Sequence, residues 1–165
     1  MKASRLLSLL MLLSIPLMAH AKPEYRDYPA KVYRGVAHPV IIDQHTRHFK
    51  TQFMTTNGQA INFAGHYVIN EFACGTDACT ALLWVDVKTG KGRFFEPRTF
   101  TGCYSADEYI SPEFHYRANS RLFIAIGKPE GSANNHAQCQ IHYYVAHNGM
   151  LKLLETAPFT TAPLE

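Results

Sequence analysis

The sequence predicts an α+β domain that is predominantly β: an antiparallel meander of hairpins with one N-terminal helix packed on the sheet, stabilised by disulfides. Three observations carry this prediction. From Ala60 onward, segments rich in Val, Ile, Tyr, Phe and Trp alternate with tight-turn residues. One stretch, residues 44–54, spaces its apolar residues as a helix would. Four cysteines, an even number, follow a leading segment that reads as an export signal.

The elements follow in order. Residues 22–42 read as an extended arm, because Pro23, Pro29 and Pro39 interrupt it and Tyr25, Tyr28 and Tyr33 need an apolar surface to cover. One short strand is expected within the arm at 31–36. Residues 43–165 then form a single globular β-rich domain. Asp43 is placed to cap a helix over 44–54, with His45, Phe49 and Phe53 four apart on one face and Asn57-Gly58 ending it. Strands are expected at 66–72 and 80–87, the latter turning through Lys88-Thr89-Gly90 into Gly92-Arg93-Phe94-Phe95. A second hairpin joins 113–116 to 121–126 around Ala118-Asn119-Ser120. The third joins 140–146 to 150–154 around Asn148-Gly149, a dipeptide suited to the two positive φ values of a type I′ turn.

Residues 1–21 carry Lys2 and Arg5, an apolar run over 6–18 and then Ala19-His20-Ala21. That is the pattern of a secretory signal peptide cleaved near Ala21. The run is shorter than the ~20 residues a transmembrane helix needs. A periplasmic or secreted location without a membrane span is expected. Lys2 and Arg5 are two of the 16 basic residues, so cleavage leaves 14 against 13 acidic ones, and the net charge falls from +3 to +1. The remaining cations, among them Arg26, Lys31, Arg34, Arg47, Lys50, Lys88, Lys91 and Arg93, are scattered along the chain, which argues against nucleic acid as a partner.

In an oxidising compartment Cys74, Cys79, Cys103 and Cys139 are first read as two disulfides, for which three connectivities exist. Cys74 with Cys79 and Cys103 with Cys139 is the favoured pairing, because Gly75 permits the reversal that a small ring needs. The competing reading is a metal site in which Cys74 and Cys79 are joined by His66, His136 or His142.

The segments Phe63-Ala64-Gly65-His66-Tyr67, Cys74-Gly75-Thr76 with Cys79 soon after, and Asp86-Val87-Lys88-Thr89-Gly90 occur in that order. The chain thereby resembles a family of uncharacterised exported bacterial proteins with an F-x-G-H-Y, C-G-T, C, D-x-x-T-G pattern. The resemblance spans about a third of the chain, residues 46–95. It implies export and a β-rich domain and supplies no catalytic residue.

His66, Glu71 and Asp77 are the candidates for acid–base chemistry, since a histidine and carboxylates lie within a short span. Strand alternation puts His66 with Val68, Asn70 and Phe72, and Glu71 with Tyr67 and Ile69, on opposite faces. His45 and His48 have metal-ligand spacing on a helix, but packing by the Phe49 and Phe53 face is the stronger reading, and no metal is expected. Asp107, Glu108 and Glu113 form an acidic cluster in a polar loop. No nucleotide, zinc-protease or serine-hydrolase motif occurs, and no cofactor is expected.

Three loops, 74–79, 102–109 and 127–139, are rich in Tyr, Asn, Gly and His and are tied by the cysteines. Within them Tyr104, Thr76, Asp77, Asn134 and Asn135 are the candidate binding residues, because pre-ordered aromatic and polar loops lower the entropic cost of association. The expected function is a non-enzymatic binding module, such as an inhibitor or immunity-type protein, whose partner is an extracytoplasmic protein or an envelope glycan. The alternative is a small periplasmic hydrolase or metal-dependent enzyme using His66 with Glu71 or Asp77.

Overall fold

The computed structural model describes residues 22–76, 78–106, 108–132 and 138–159. The expected signal segment lies outside these residues. Among them the strands are β1 (Tyr67–Ala73), β2 (Thr80–Asp86), β3 (Gly92–Thr101), β4 (Cys103–Ser105), β5 (Glu108–Ile110), β6 (Glu113–Tyr116), β7 (Leu122–Ile126), β8 (Lys128–Pro129), β9 (Gln140–His147) and β10 (Met150–Pro158). One sheet has the order β1-β2-β3-β8, the other β10-β9-β7-β6, and β4-β5 form a separate ribbon. Every pairing between these strands is antiparallel. The predominantly β α+β class is therefore observed, with the hairpins divided between two sheets rather than strung along one.

The sequence explains the division. All five residues of β7 are buried, so both faces of this strand are covered. Phe123 and Ala125 face the other sheet, where they meet Phe63, Trp84, Phe95 and Phe100. Leu122, Ile124 and Ile126 face outward onto Tyr25 and Tyr28 of the arm. β2 splits in the same way: Leu82 and Trp84 enter the shared core, while Leu83 and Val85 pack with Phe53 on the opposite face. Alternation with both faces apolar is what the middle strands of a covered sandwich require. Phe123 is fully buried, with ring centroids of Phe63, Phe95 and Tyr116 at 5.9, 5.1 and 5.7 Å.

Two expectations are corrected. The helix is shorter than 44–54: a 3-10 turn at Arg47–Phe49 leads into α1 (Lys50–Met54). The reason lies in Asp43, whose carboxylate accepts hydrogen bonds from the backbone of His45 (2.8 Å) and Thr46 (3.0 Å) and from the Thr46 hydroxyl (3.1 Å). These bonds close residues 43–46 into an Asx turn and delay helical winding. Phe49 and Phe53 still pack on the outer face of the first sheet, whereas His45 is exposed. Asn57 and Gly58 end the helical segment, the Asn57 amide bonding to the Met54 carbonyl and Gly58 at φ +76°.

Residues 31–36 also form no strand. The arm makes single bridges, Pro29 to Ser120 and Ile41 to Lys91, and the Tyr33 amide bonds to the Gly65 carbonyl at 2.7 Å. Prolines at 29 and 39 cannot donate to a ladder, so contact is made at points. Buried Ser120 holds the arm down: its hydroxyl meets the carbonyls of Tyr25 and Tyr28, both at 3.0 Å, and accepts from the Leu122 amide at 3.1 Å. The arm thus covers one sheet with its tyrosines, and Val40 and Ile42 cover the other beside α1.

In the middle of β3 the register against β2 shifts, and Pro97 lies in that bulge, where no ladder amide is needed. Gly127, at φ +133°, turns the chain from β7 in one sheet to β8 in the other, where an added Cβ would crowd the Thr101 carbonyl. Among the described residues no helix is long and apolar enough to cross a membrane.

Candidate functional site

Register determines which loops share an end of the sandwich. Ala73 pairs with Thr80, Thr80 with Phe100, and Phe100 with Pro129. In the second sheet Glu113 pairs with Ile126, and Ile126 with Ile141. The 74–79 loop, the β4-β5 ribbon, the β7-β8 connection at Gly127 and the approach to β9 at Gln138 therefore emerge together. Both disulfides are there, Cys74 to Cys79 and Cys103 to Cys139, as the favoured pairing expects. The thiol ligands of the competing metal site are consumed. His142 instead has its ring nitrogens 3.2 Å from the Gly127 carbonyl and 3.3 Å from the Thr156 hydroxyl. His136 lies outside the described residues.

At this end Tyr104 pairs across the ribbon with Tyr109, their rings edge to face at 5.4 Å. The two side chains are 41% and 43% exposed, so both rings reach solvent. Three constraints hold them: the neighbouring Cys103 bridge, a 2.9 Å bond from the Cys139 amide to the Tyr104 carbonyl, and the Tyr109 ring lying over Gly102, where a Cβ would overlap it. Thr76 is exposed in the small ring, which closes through Cys74 amide to Cys79 carbonyl at 3.1 Å. Ala78 takes a left-handed conformation there (φ +49°), so the reversal does not depend on Gly75 alone. Asp77, Asn134 and Asn135 lie outside the described residues.

The opposite end collects residues 64–66, the 87–91 turn, the 117–121 turn and Asn148-Gly149, the last two residues at φ +49° and +71° as a type I′ turn requires. His66 is here, its ring tilted against Tyr67 at 4.2 Å, with Tyr67 in turn stacked on Trp84 at 4.4 Å. Burial holds the His66 pKa below the usual 6.5 and Lys88 adds to this, while Asp86 and a hydrogen bond to the Ala64 backbone oppose it. His66 and Glu71 are not brought together. Five residues of nearly extended chain separate them, roughly 16 Å at 3.3 Å per residue. Glu71 is exposed on the Ile69 side of edge strand β1, where it accepts a 2.8 Å bond from the Tyr116 hydroxyl. Desolvation of the carboxylate raises the Glu71 pKa against the effect of that bond, and burial with the nearby carboxylate raises that of Tyr116. The carboxylate that acts on His66 is Asp86, which the sequence reading did not single out.

A cavity of about 290 Å³ opens beside His66, lined also by Tyr67, Arg121, His147, Asn148 and Gly149. On the other side of Gly149 lies a broader groove of about 860 Å³, whose walls include His45, Trp84, Arg93, Arg98 and Glu130. Between them Arg93 donates from Nη1 to the Gly149 carbonyl at 2.9 Å, strapping β3 to the β9-β10 turn. The Arg98 guanidinium is engaged by the rings of Phe94 and Phe49, at 3.7 and 4.5 Å. The indole N–H of buried Trp84 has no acceptor among the described residues. His45 and His48 are exposed, and among the described residues no three His, Cys, Asp or Glu side chains are grouped to hold a metal ion. Glu108 and Glu113 are exposed, and Glu113 approaches His115 at 3.7 Å. Asp107 lies outside the described residues.

Arg121, His147 and Asp86 were legible only through topology. They stand at hairpin ends of the same polarity, so drawing the strand order would have gathered them. No family model, curated protein or solved structure matches this chain.

Proposed function

We propose that this protein is an exported, non-enzymatic binding module, released into the periplasm or secreted after cleavage near Ala21, and that its disulfide end engages an extracytoplasmic protein or an envelope glycan. The observation that supports this most is the Tyr104–Tyr109 pair: two amphipathic rings, exposed yet tethered to a disulfide-closed ribbon. Aromatic groups ordered before contact supply apolar area at low entropic cost, which is the property of an inhibitory or immunity-type loop that enters a partner's cleft. The separation of His66 from Glu71 weighs against the hydrolase reading.

The test is affinity purification from envelope extract with three baits: the natural chain, Tyr104→Ala with Tyr109→Ala, and Lys50→Gln on α1. A discrete partner held by the first and third baits and lost by the second supports the reading. Equal recovery by the double variant contradicts it, as does the absence of any partner enriched over an unrelated exported domain.

A further inference from the structure

We propose that the end of the sandwich opposite the disulfides carries a second binding site, for a phosphate-class oxyanion, formed by Arg121, His66 and His147. The site is independent of the Tyr104 ribbon. Its cavity, about 290 Å³, is at the lower edge of small-ligand pockets, so it suits one anionic head group rather than a whole large ligand. Among the described residues no carboxylate lines it. The adjoining concavity, about 450 Å³, is lined by Lys31, Val32, Tyr33, Arg34 and Lys88 and, among the described residues, again by no acid. Lys88 joins the two: its Nζ lies 5.5 Å over the Tyr33 ring, and its charge is felt at His66. Concave walls of one sign focus potential and draw in the opposite charge.

The charge of Asp86 also acts on His66, more strongly than that of Lys88, but Asp86 is not among the residues lining either concavity. Asp86 Oδ1 accepts the Lys88 backbone amide at 2.9 Å, capping the β2-β3 turn. The three proposed donors come from separate elements: His66 from the approach to β1, Arg121 from the β6-β7 connection and His147 from the end of β9. A guanidinium and two imidazoles lining one cavity offer donors from several directions, as a tetrahedral oxyanion takes them, and the His147 ring is set by the Asn148 side-chain amide 3.1 Å from its Nε2. Gly65 at φ +82° and Gly149 at φ +71° set the flanking turns, and the Tyr33 amide bonds to the Gly65 carbonyl beside the site.

The experiment follows the histidine ring signals by NMR while inorganic phosphate is added at constant ionic strength, with chloride and acetate as parallel titrations. Saturable shifts of the His66 and His147 rings with phosphate are expected, half-complete at roughly millimolar concentration, as befits a few charge-assisted hydrogen bonds. Arg121→Gln should weaken this about tenfold or more, His147→Asn should also weaken it, and Lys50→Gln, on exposed α1, should not. Glycerol phosphate and vesicles containing phosphatidic acid distinguish a soluble from a membrane-held source, and sulfate, a dianion throughout, serves for the pH series. Sulfate binding should strengthen on acidification as His66 protonates among Tyr67, Asp86, Lys88, Arg121 and His147, with Lys31, Tyr33 and Arg34 alongside. Non-saturating drift, equal shifts with chloride, or an unchanged response in Arg121→Gln would overturn the proposal.

Discussion

The two disulfides should contribute unequally to stability, in an order set by the loops they close. Cys103 and Cys139 are 36 residues apart, Cys74 and Cys79 only 5. On the chain-entropy account the long bridge removes about 4 kcal/mol of unfolded-state freedom and the short one about 2 kcal/mol. Packing acts in the same direction, since Cys103 and Cys139 are both buried while Cys74 is exposed. The perturbation is therefore a pair of double variants, Cys103→Ala with Cys139→Ala and Cys74→Ala with Cys79→Ala, compared by urea unfolding followed by tryptophan fluorescence and circular dichroism. With a urea slope of about 2 kcal/mol per M, the difference of about 2 kcal/mol is a midpoint about 1 M lower for the long-bridge variant. The short-bridge variant should keep its tryptophan environment, because Trp84 lies in the shared core, away from the small ring. Equal midpoints, or a larger loss from the short bridge, would refute the assignment of the long bridge as the main constraint on the Tyr104 ribbon.

Other residues give sharper local tests. Gly58 and Gly90 both have left-handed backbone, at φ +76° and +71°, but a Cβ at 58 meets nothing while one at 90 overlaps the Pro39 carbonyl. Thermal or urea melts should show Gly58→Ala costing about 1 kcal/mol and Gly90→Ala distinctly more. Ser120→Ala should cost about 2 kcal/mol, since it removes one bond from each of two arm carbonyls and leaves the buried Leu122 amide without its acceptor, and proteolysis should then begin in residues 22–42. Burial holds the His142 pKa below 6.5, with a bond to Gly127 in opposition. The unfolded chain therefore binds its proton first on acidification, and stability falls as pH drops below about 6.5, by at most about 1.4 kcal/mol per unit. His142→Gln should flatten that part of the stability profile relative to the natural chain.

Much of the fold was legible because local chemistry and tertiary structure agree. The hairpins around Lys88-Thr89-Gly90 and Asn148-Gly149 announced themselves through turn residues, and the cysteine pairing followed from a ring small enough to close on itself. The sandwich was not legible. A strand such as β7, apolar on both faces, reads the same whether a helix or another sheet covers it, and only long-range pairing decides. Asp43 suggested a helix start that the structure does not have, because its side chain satisfies the very amides that would have begun the helix, and winding starts at Arg47. At the candidate sites, adjacency in sequence was misleading for His66 and Glu71, which strand alternation separates. It was informative for Tyr104, whose disulfide neighbour holds it in place. Arg121 and His147 escaped notice because their association with His66 depends on three strand registers acting together.

The most direct test of the disulfide end as a binding surface is site-specific photocrosslinking in intact cells. A photoreactive phenylalanine replaces Tyr104 in one strain and Tyr33, at the other end, in a second. A single crosslinked species formed through position 104, and not through position 33, is the expected result. Crosslinks of equal yield from both positions, or none from position 104 in a correctly oxidised and exported protein, would contradict the account.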